Sequence, residues 1–150
     1  MATRPTVYAT QPPYILYAED NIIDSNFFKR AFQRETSGLE LVHRENGQLI
    51  KNYLLRCVEE KLRLPTMVVL DIKMPGLSGL DVLHFIRSHP RLRRLPVILL
   101  SASEERRDLD RAYEDRVNAY LIKPNRYQQL RELVHTMITF WSRYNRVHYG

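Results

Sequence analysis

The sequence predicts a doubly wound α/β domain built on a five-stranded parallel sheet in the order 2-1-3-4-5. Five short apolar runs alternate with five segments of helical apolar spacing. That succession calls for right-handed crossovers and a parallel sheet covered on both faces. The runs ending at Ala18, Leu70, Leu100 and Ile122 each stop on residues able to do chemistry. In open sheets of this kind, ligands gather outside the carboxyl ends of the strands, where the strand order reverses.

Tyr14 to Ala18 reads as the first strand and ends on Glu19-Asp20-Asn21. A helix follows from about Ile23 to Thr36, with Asp24 and Ser25 near its start and Phe27, Phe28, Ala31 and Phe32 on adjoining turns, and Gly38 stops it. Leu39 to His43 gives a shorter second strand. After Asn46-Gly47, a helix from about Gln48 to Leu62 places Leu49, Tyr53, Leu54, Cys57 and Val58 on one face. Thr66 to Leu70 is the third strand, broken by Asp71-Ile72-Lys73-Met74-Pro75-Gly76. The next helix runs from about Gly79 to Ser88 and is closed by Pro90. Val97 to Leu100 is the fourth strand. A polar helix from about Glu104 to Arg116 has only Leu109, Ala112 and Tyr113 to pack. Ala119 to Ile122 is the fifth strand, ending on Lys123-Pro124. A last helix from about Arg126 to Tyr144 carries Leu130, Leu133, Val134, Met137, Ile138 and Trp141 in register. Residues 1–13, with three prolines and little to bury, read as a mobile arm, residues 14–144 as one domain and residues 145–150 as a tail.

At 150 residues, 44% hydrophobic and 27% charged, the chain fits a single domain with a full core. The formal charge of +6 is spread along the chain, and neither a reading helix nor an aromatic platform supports nucleic-acid binding. Arg91, Arg93 and Arg94, between Pro90 and Pro96, read as a solvated loop. A single cysteine excludes an internal disulfide and suits a reducing cytoplasm, with Cys57 as a small buried residue. No apolar run reaches 18 residues, which argues against a membrane span. His43, His84, His89, His135 and His148 have no metal-ligand spacing.

In the order 2-1-3-4-5 the first and third strands lie side by side, so Glu19, Asp20 and Asp71 converge. Like charges about 4 Å apart cost roughly 4 kcal/mol at an effective dielectric near 20, so the cluster needs a cation or a shared proton. An all-oxygen set without His or Cys favours a hard divalent ion such as Mg²⁺. Lys123 adds a fixed positive charge on the same rim, and Ser101 a hydroxyl donor. Together these suit phosphoryl transfer to Asp71, giving an aspartyl phosphate.

Glu19-Asp20, Asp71 with Met74-Pro75 and Gly79, Ser101-Ala102 and Lys123-Pro124 together resemble the CheY-like response-regulator receiver domain, over about Tyr14 to Trp141. The resemblance implies a flavodoxin-like (βα)5 fold and phosphorylation of Asp71 by a sensor histidine kinase. It implies Mg²⁺ held by Glu19, Asp20, Asp71 and the main-chain carbonyl of Lys73, with Ser101 and Lys123 on the phosphoryl oxygens. It further implies a switch in which Tyr120 turns inward as Ser101 moves, and a cis bond between Lys123 and Pro124. The Lys73 side chain departs from the polar residue common at its position. The long last helix and the Arg-rich loop before Pro96 resemble the small regulators paired with phytochrome-type kinases.

Blander readings stand beside these. Asp71 could be a turn former and Asp20 a helix cap; Ser101 with Glu104 fits a capping box; Tyr120 could be plain core. An acid-nucleophile phosphatase would need a second Asp where Lys73 stands. A scaffold of the same fold that is never phosphorylated is the alternative function. After Trp141 too few residues remain for an output domain, so a stand-alone cytoplasmic switch is expected. Phe140, Trp141 and Tyr144 then predict a homodimer formed with the fourth helix and fifth strand.

Overall fold

The computed structural model describes residues 12–35 and 38–146. The expected arm therefore lies outside the described residues except for Pro12 and Pro13, and the tail except for Asn145 and Arg146.

The strands are β1 (Tyr14–Ala18), β2 (Glu40–Arg44), β3 (Met67–Leu70), β4 (Val97–Ser101) and β5 (Ala119–Ile122). The helices are α1 (Ile22–Gln33), α2 (Gly47–Glu59), α3 (Gly79–Ser88), α4 (Arg106–Glu114) and α5 (Tyr127–Ile138). One sheet holds the strands in the order β2-β1-β3-β4-β5, with every pair parallel. The predicted architecture is the observed one.

Side chains alternate between the two faces of the sheet. Leu16, Ala18, Val68, Leu70, Val97 and Leu99 pack with Ile50, Leu54, Leu83 and Ile86 from α2 and α3. Ile15, Tyr17, Met67, Val69, Ile98 and Leu100 pack with Phe28 and Phe32 from α1 and Val134 and Met137 from α5. Because both faces are covered, the strands read as continuous apolar runs. Each fully buried Leu, Ile or Val stabilises the fold by roughly 1.5–3 kcal/mol relative to an exposed one.

Three expectations about helix faces change. Ile50 rather than Leu49 is buried in α2, because helical spacing groups Ile50 with Leu54 and Cys57 while Leu49 turns to solvent. In α4 Ala112 faces the core, Leu109 is half-buried and Tyr113, one step of about 100° further round, is exposed. The last helix is not uniform to Tyr144: α5 gives way to a wider π-type turn, Thr139–Tyr144. There the Ser142 hydroxyl donates to the Ile138 carbonyl at 2.5 Å, competing for the ladder acceptor. Trp141 packs on the α1/α5 core, whereas Phe140 and Tyr144 are exposed.

At the amino ends of the strands, the buried Arg87 guanidinium donates to the carbonyls of Arg93 (3.0 Å), Leu95 (2.7 Å) and Arg116 (3.0 and 3.2 Å) and to Asn118 Oδ1 (2.8 Å). It fastens the loop after α3 to the loop after α4. Arg91, Arg93 and Arg94 are exposed, as expected of that loop. Among the described residues, no helix is long and apolar enough to cross a membrane.

Candidate functional site

β1 lies between β2 and β3, so the strand order reverses there. Ala18 is in register with Leu70, and Asp71 N donates to the Ala18 carbonyl at 3.2 Å. That bond stitches the turn after β3 to the end of β1. Glu19 and Asp71 are both buried, and Asp20 is exposed.

Asp20 is not a cap. Asn21 does that work, its Oδ1 accepting from Ile23 N and Asp24 N at 3.0 Å each, which leaves the Asp20 carboxylate available. Glu19, Asp20 and Asp71 can each offer an oxygen within 4.8 Å of the others. The predicted convergence is therefore met.

The Asp71 turn is shaped by small residues. Gly76 has φ +75°, a conformation side chains rarely adopt. At Gly79 a Cβ would stand 2.1 Å from the Asp71 carbonyl oxygen, so only glycine lets α3 start this close. A capping box fixes the start of α3: Asp81 N donates to Ser78 Oγ at 3.1 Å, and Ser78 N to Asp81 Oδ2 at 2.9 Å. Lys73, two residues beyond Asp71 on the same turn, is exposed.

Lys123 crosses from the end of β5 into the cluster. Its ammonium donates to Asp71 Oδ2 and Asp24 Oδ2, each at 2.9 Å, and to Glu19 Oε1. Asp24, an acid at the start of the first helix that the sequence pattern does not tie to the site, is also a member. Its place on the first turn of α1, four residues after Asp20, was the available signal. Burial drives the Glu19 carboxyl up to about 7, with the Asp71 charge adding to the rise and the Lys123 ammonium opposing it. Burial pulls the Lys123 pKa down, but its bonds to Glu19 and Asp71 outweigh that and hold it above the ordinary lysine value.

Lys123 N donates to the Ser101 carbonyl at 2.9 Å, and the Lys123–Pro124 bond is trans, against expectation. The ammonium reaches the acids without a cis bond, and trans is the lower-energy isomer by about 0.5–1 kcal/mol. Ser101 is buried at the end of β4, but no hydrogen bond joins its hydroxyl to Asp71 or Lys123. The Ser101–Glu104 capping box does not form: Ser101 Oγ accepts from Ser103 N at 3.2 Å, and α4 begins after Glu105 without a side-chain cap. Tyr120 is half-buried, its hydroxyl donating to the Ser103 carbonyl at 2.7 Å.

One ammonium bonded to Glu19, Asp24 and Asp71, with the Asp20 carboxylate beside them, leaves negative charge unbalanced, and the available ligand atoms are all oxygen. Glu19, Asp20 and Asp71 thus suit a hard divalent cation such as Mg²⁺.

Comparison with known proteins agrees with this geometry. The chain is 36% identical over 138 residues to the probable methanogenesis regulatory protein FilR2 of Methanothrix harundinacea, covering 92% of this chain and 89% of that protein. It is 31% identical over 131 residues to the response regulator Rcp1 of Synechocystis sp., covering 87% and 89%. The crystal structure of Mn²⁺-bound Rcp1 superposes with a TM-score of 0.83 at 29% identity, over 91% of this chain and 99% of that one. The phosphorylated cyanobacterial phytochrome response regulator RcpA gives the same figures. Residues 15–135 match the response regulator receiver domain, and the chain belongs to that family.

Proposed function

We propose that Asp71 accepts a phosphoryl group from a sensor histidine kinase and that the modified protein signals through an altered contact surface. The observation that carries this is the Lys123 ammonium on Asp71 Oδ2, at the meeting point of β1 and β3. Asp71 attacks phosphorus as the bond from phosphorus to the histidine nitrogen breaks, and the imidazole leaves. Lys123 is placed to hold the oxygens of the transferred group, and Ser101 to reach them after its hydroxyl turns. Glu19, Asp20, Asp71 and the Lys73 carbonyl would hold Mg²⁺, which neutralises charge on the phosphoryl group when bound.

Ile22 and Ile23, 71% and 60% exposed on the first turn of α1, give the site an apolar border suited to a docking kinase. A phytochrome-type kinase is supported by the likeness to RcpA, described as a phytochrome response regulator. A homodimer through α4, β5 and α5 is supported by the edge position of β5. Beside it runs an apolar groove of about 530 Å³ lined by Leu121, Leu133, Met137, Phe140 and Trp141.

The test is incubation with radiolabelled acetyl phosphate. Label should appear on the wild type only with Mg²⁺ present and be lost in Asp71→Asn. Equal labelling of the variant would reject the nucleophile, and no labelling of the wild type would favour the unphosphorylated scaffold.

A further inference from the structure

Helices α2, α3 and α4 cover the same face of the sheet and end on the same rim, where the loops leading into β3, β4 and β5 run side by side. Val68 N donates to the Pro96 carbonyl and Asn118 N to the Val97 carbonyl, each at 2.9 Å, which ties the starts of these strands together. The loops are basic. Lys61, Arg91, Arg93, Arg94 and Arg116 are exposed and Arg63 is half-buried, and the chain has no acid from Val82 to Ser103. Of the acids at the helix ends, Glu60 is paired with Arg56 at 3.0 Å and Asp115 faces His84 at 3.1 Å, while Glu59 and Glu114 are exposed.

Two of these cations stand where the backbone disfavours them. Lys61 and Arg116 have φ +54° and +57°, and among the described residues no other non-glycine residue has a positive φ. Each directly follows a helix. Leu62 N donates to the Cys57 carbonyl at 2.9 Å and Val117 N to the Ala112 carbonyl at 3.1 Å, the left-handed turn that closes α2 and α4. Glycine adopts that conformation without strain, and a side chain does not. A cation gains from the helix dipole throughout the last turn, so a lysine or arginine one residue earlier would gain as much unstrained. Fold stability therefore gives no reason for a charge at either position. Arg87 also makes the rim rigid, because it binds the Arg93 and Arg116 carbonyls while both side chains stay exposed.

We infer that this rim binds an acidic segment of a partner protein. A guanidinium presents a planar fork that takes a carboxylate through two parallel hydrogen bonds, and the rim fixes several such forks at close spacing. Three adjacent strand starts span about 10 Å, the reach of about three residues of an extended peptide. The three loops carry no Phe, Tyr or Trp on which a nucleic-acid base could stack. Leu92 and Leu95 are buried, so the Arg-rich loop projects no aliphatic side chain to enter a lipid surface. The rim lies at the amino ends of the strands and Asp71 beyond the carboxyl end of β3, so the segment can be held whether or not Asp71 is modified. The inference does not depend on the phosphoacceptor reading.

The test is fluorescence anisotropy of a labelled glutamate peptide of about ten residues, titrated with the full chain at low salt, where surface charge is least screened. Affinity should fall about tenfold in the double variant Lys61→Gly, Arg116→Gly, as for loss of two surface ion pairs. Thermal unfolding of that variant should come no earlier than in the wild type, because glycine relieves both left-handed positions. Arg91→Ser with Arg93→Ser should weaken binding to a similar extent. Arg106→Ser with Arg107→Ser, two exposed arginines outside the rim, should change it by less than about twofold, and Asp71→Asn should not change it. Equal losses in the rim pair and the Arg106, Arg107 pair would reduce the binding to net charge and overturn the inference. So would a double glycine variant that unfolds earlier, since the charges would then serve the fold. Absence of peptide binding, or tighter binding of a single-stranded RNA or of phosphatidylserine vesicles than of the peptide, would overturn it as well.

Discussion

The Lys123 ammonium sits 2.9 Å from Asp71 Oδ2 while also bonded to Asp24 and Glu19, so one cation is shared among acids from β1, α1 and β3. In the function proposed above, the group that steadies a transferred phosphoryl also joins these three acids to one another.

Two effects should therefore appear together in Lys123→Ala. Acetyl phosphate labelling should slow by about a hundredfold, as when one preorganised charge donor is removed. In EDTA the variant should lose about 2 kcal/mol of stability, because buried carboxylates lose their counter-charge. Thermal unfolding with and without Mg²⁺ checks this: added Mg²⁺ should recover more stability in the variant than in the wild type.

Gly79→Ala should damage the pocket without touching any acid. The new methyl would collide with the Asp71 carbonyl oxygen, so α3 or the Asp71 turn must move. The gain in helix propensity, about 1 kcal/mol, is smaller than a backbone clash of roughly 2–3 kcal/mol. A net loss in chemical denaturation and slower labelling of Asp71 are the expected results; unchanged labelling would show that the close approach is dispensable.

Asp81 offers a pH test away from the pocket. The Arg111 guanidinium, then the Ser78 amide, holds the Asp81 carboxyl below its ordinary value of 3.8. A folded value below the unfolded one stabilises the protein above 3.8, and the contribution is lost as pH falls through the lower folded value. The side chain is 37% exposed, so screening limits the charge effect to about 0.5 kcal/mol. Asp81→Asn should be less stable than wild type at pH 6 and converge with it as the pH falls through the lowered folded value of Asp81. A gap that persists in acid would mean the charge is not responsible.

Phe140→Glu tests the self-association surface while sparing the core, since Phe140 is exposed and Trp141 is not. Light scattering should give a dimer mass for the wild type and a monomer mass for the variant. A wild type that stays monomeric at high concentration, loaded or not, would reject that surface.

The sheet was legible because β1, β3 and β4 are buried on both faces, so their apolar runs are unbroken and each stops where the chemistry starts. Glu19, Asp20, Asp71 and Lys123 could be placed by counting strand ends alone. What the one-dimensional pattern hid was set by contacts between distant segments. Asp24 joins the pocket only because Lys123 arrives from β5. Ser103 joins Tyr120 to Asp108, two residues that spacing along the chain gives no reason to pair. The trans bond before Pro124 was hidden too, since a motif records the proline but not the path by which Lys123 reaches the acids.

Arg87 anchors the loop that follows the carboxyl end of α4. Burial pulls its pKa down, yet a guanidinium keeps its charge across the physiological range, and its acceptors are all uncharged. Neither acidity nor phosphoryl chemistry at the opposite rim supplies a reason for that knot to loosen. The carboxyl end of α4 is thus pinned from below, so a binding partner that grips this helix there would meet a surface whose position does not depend on pH.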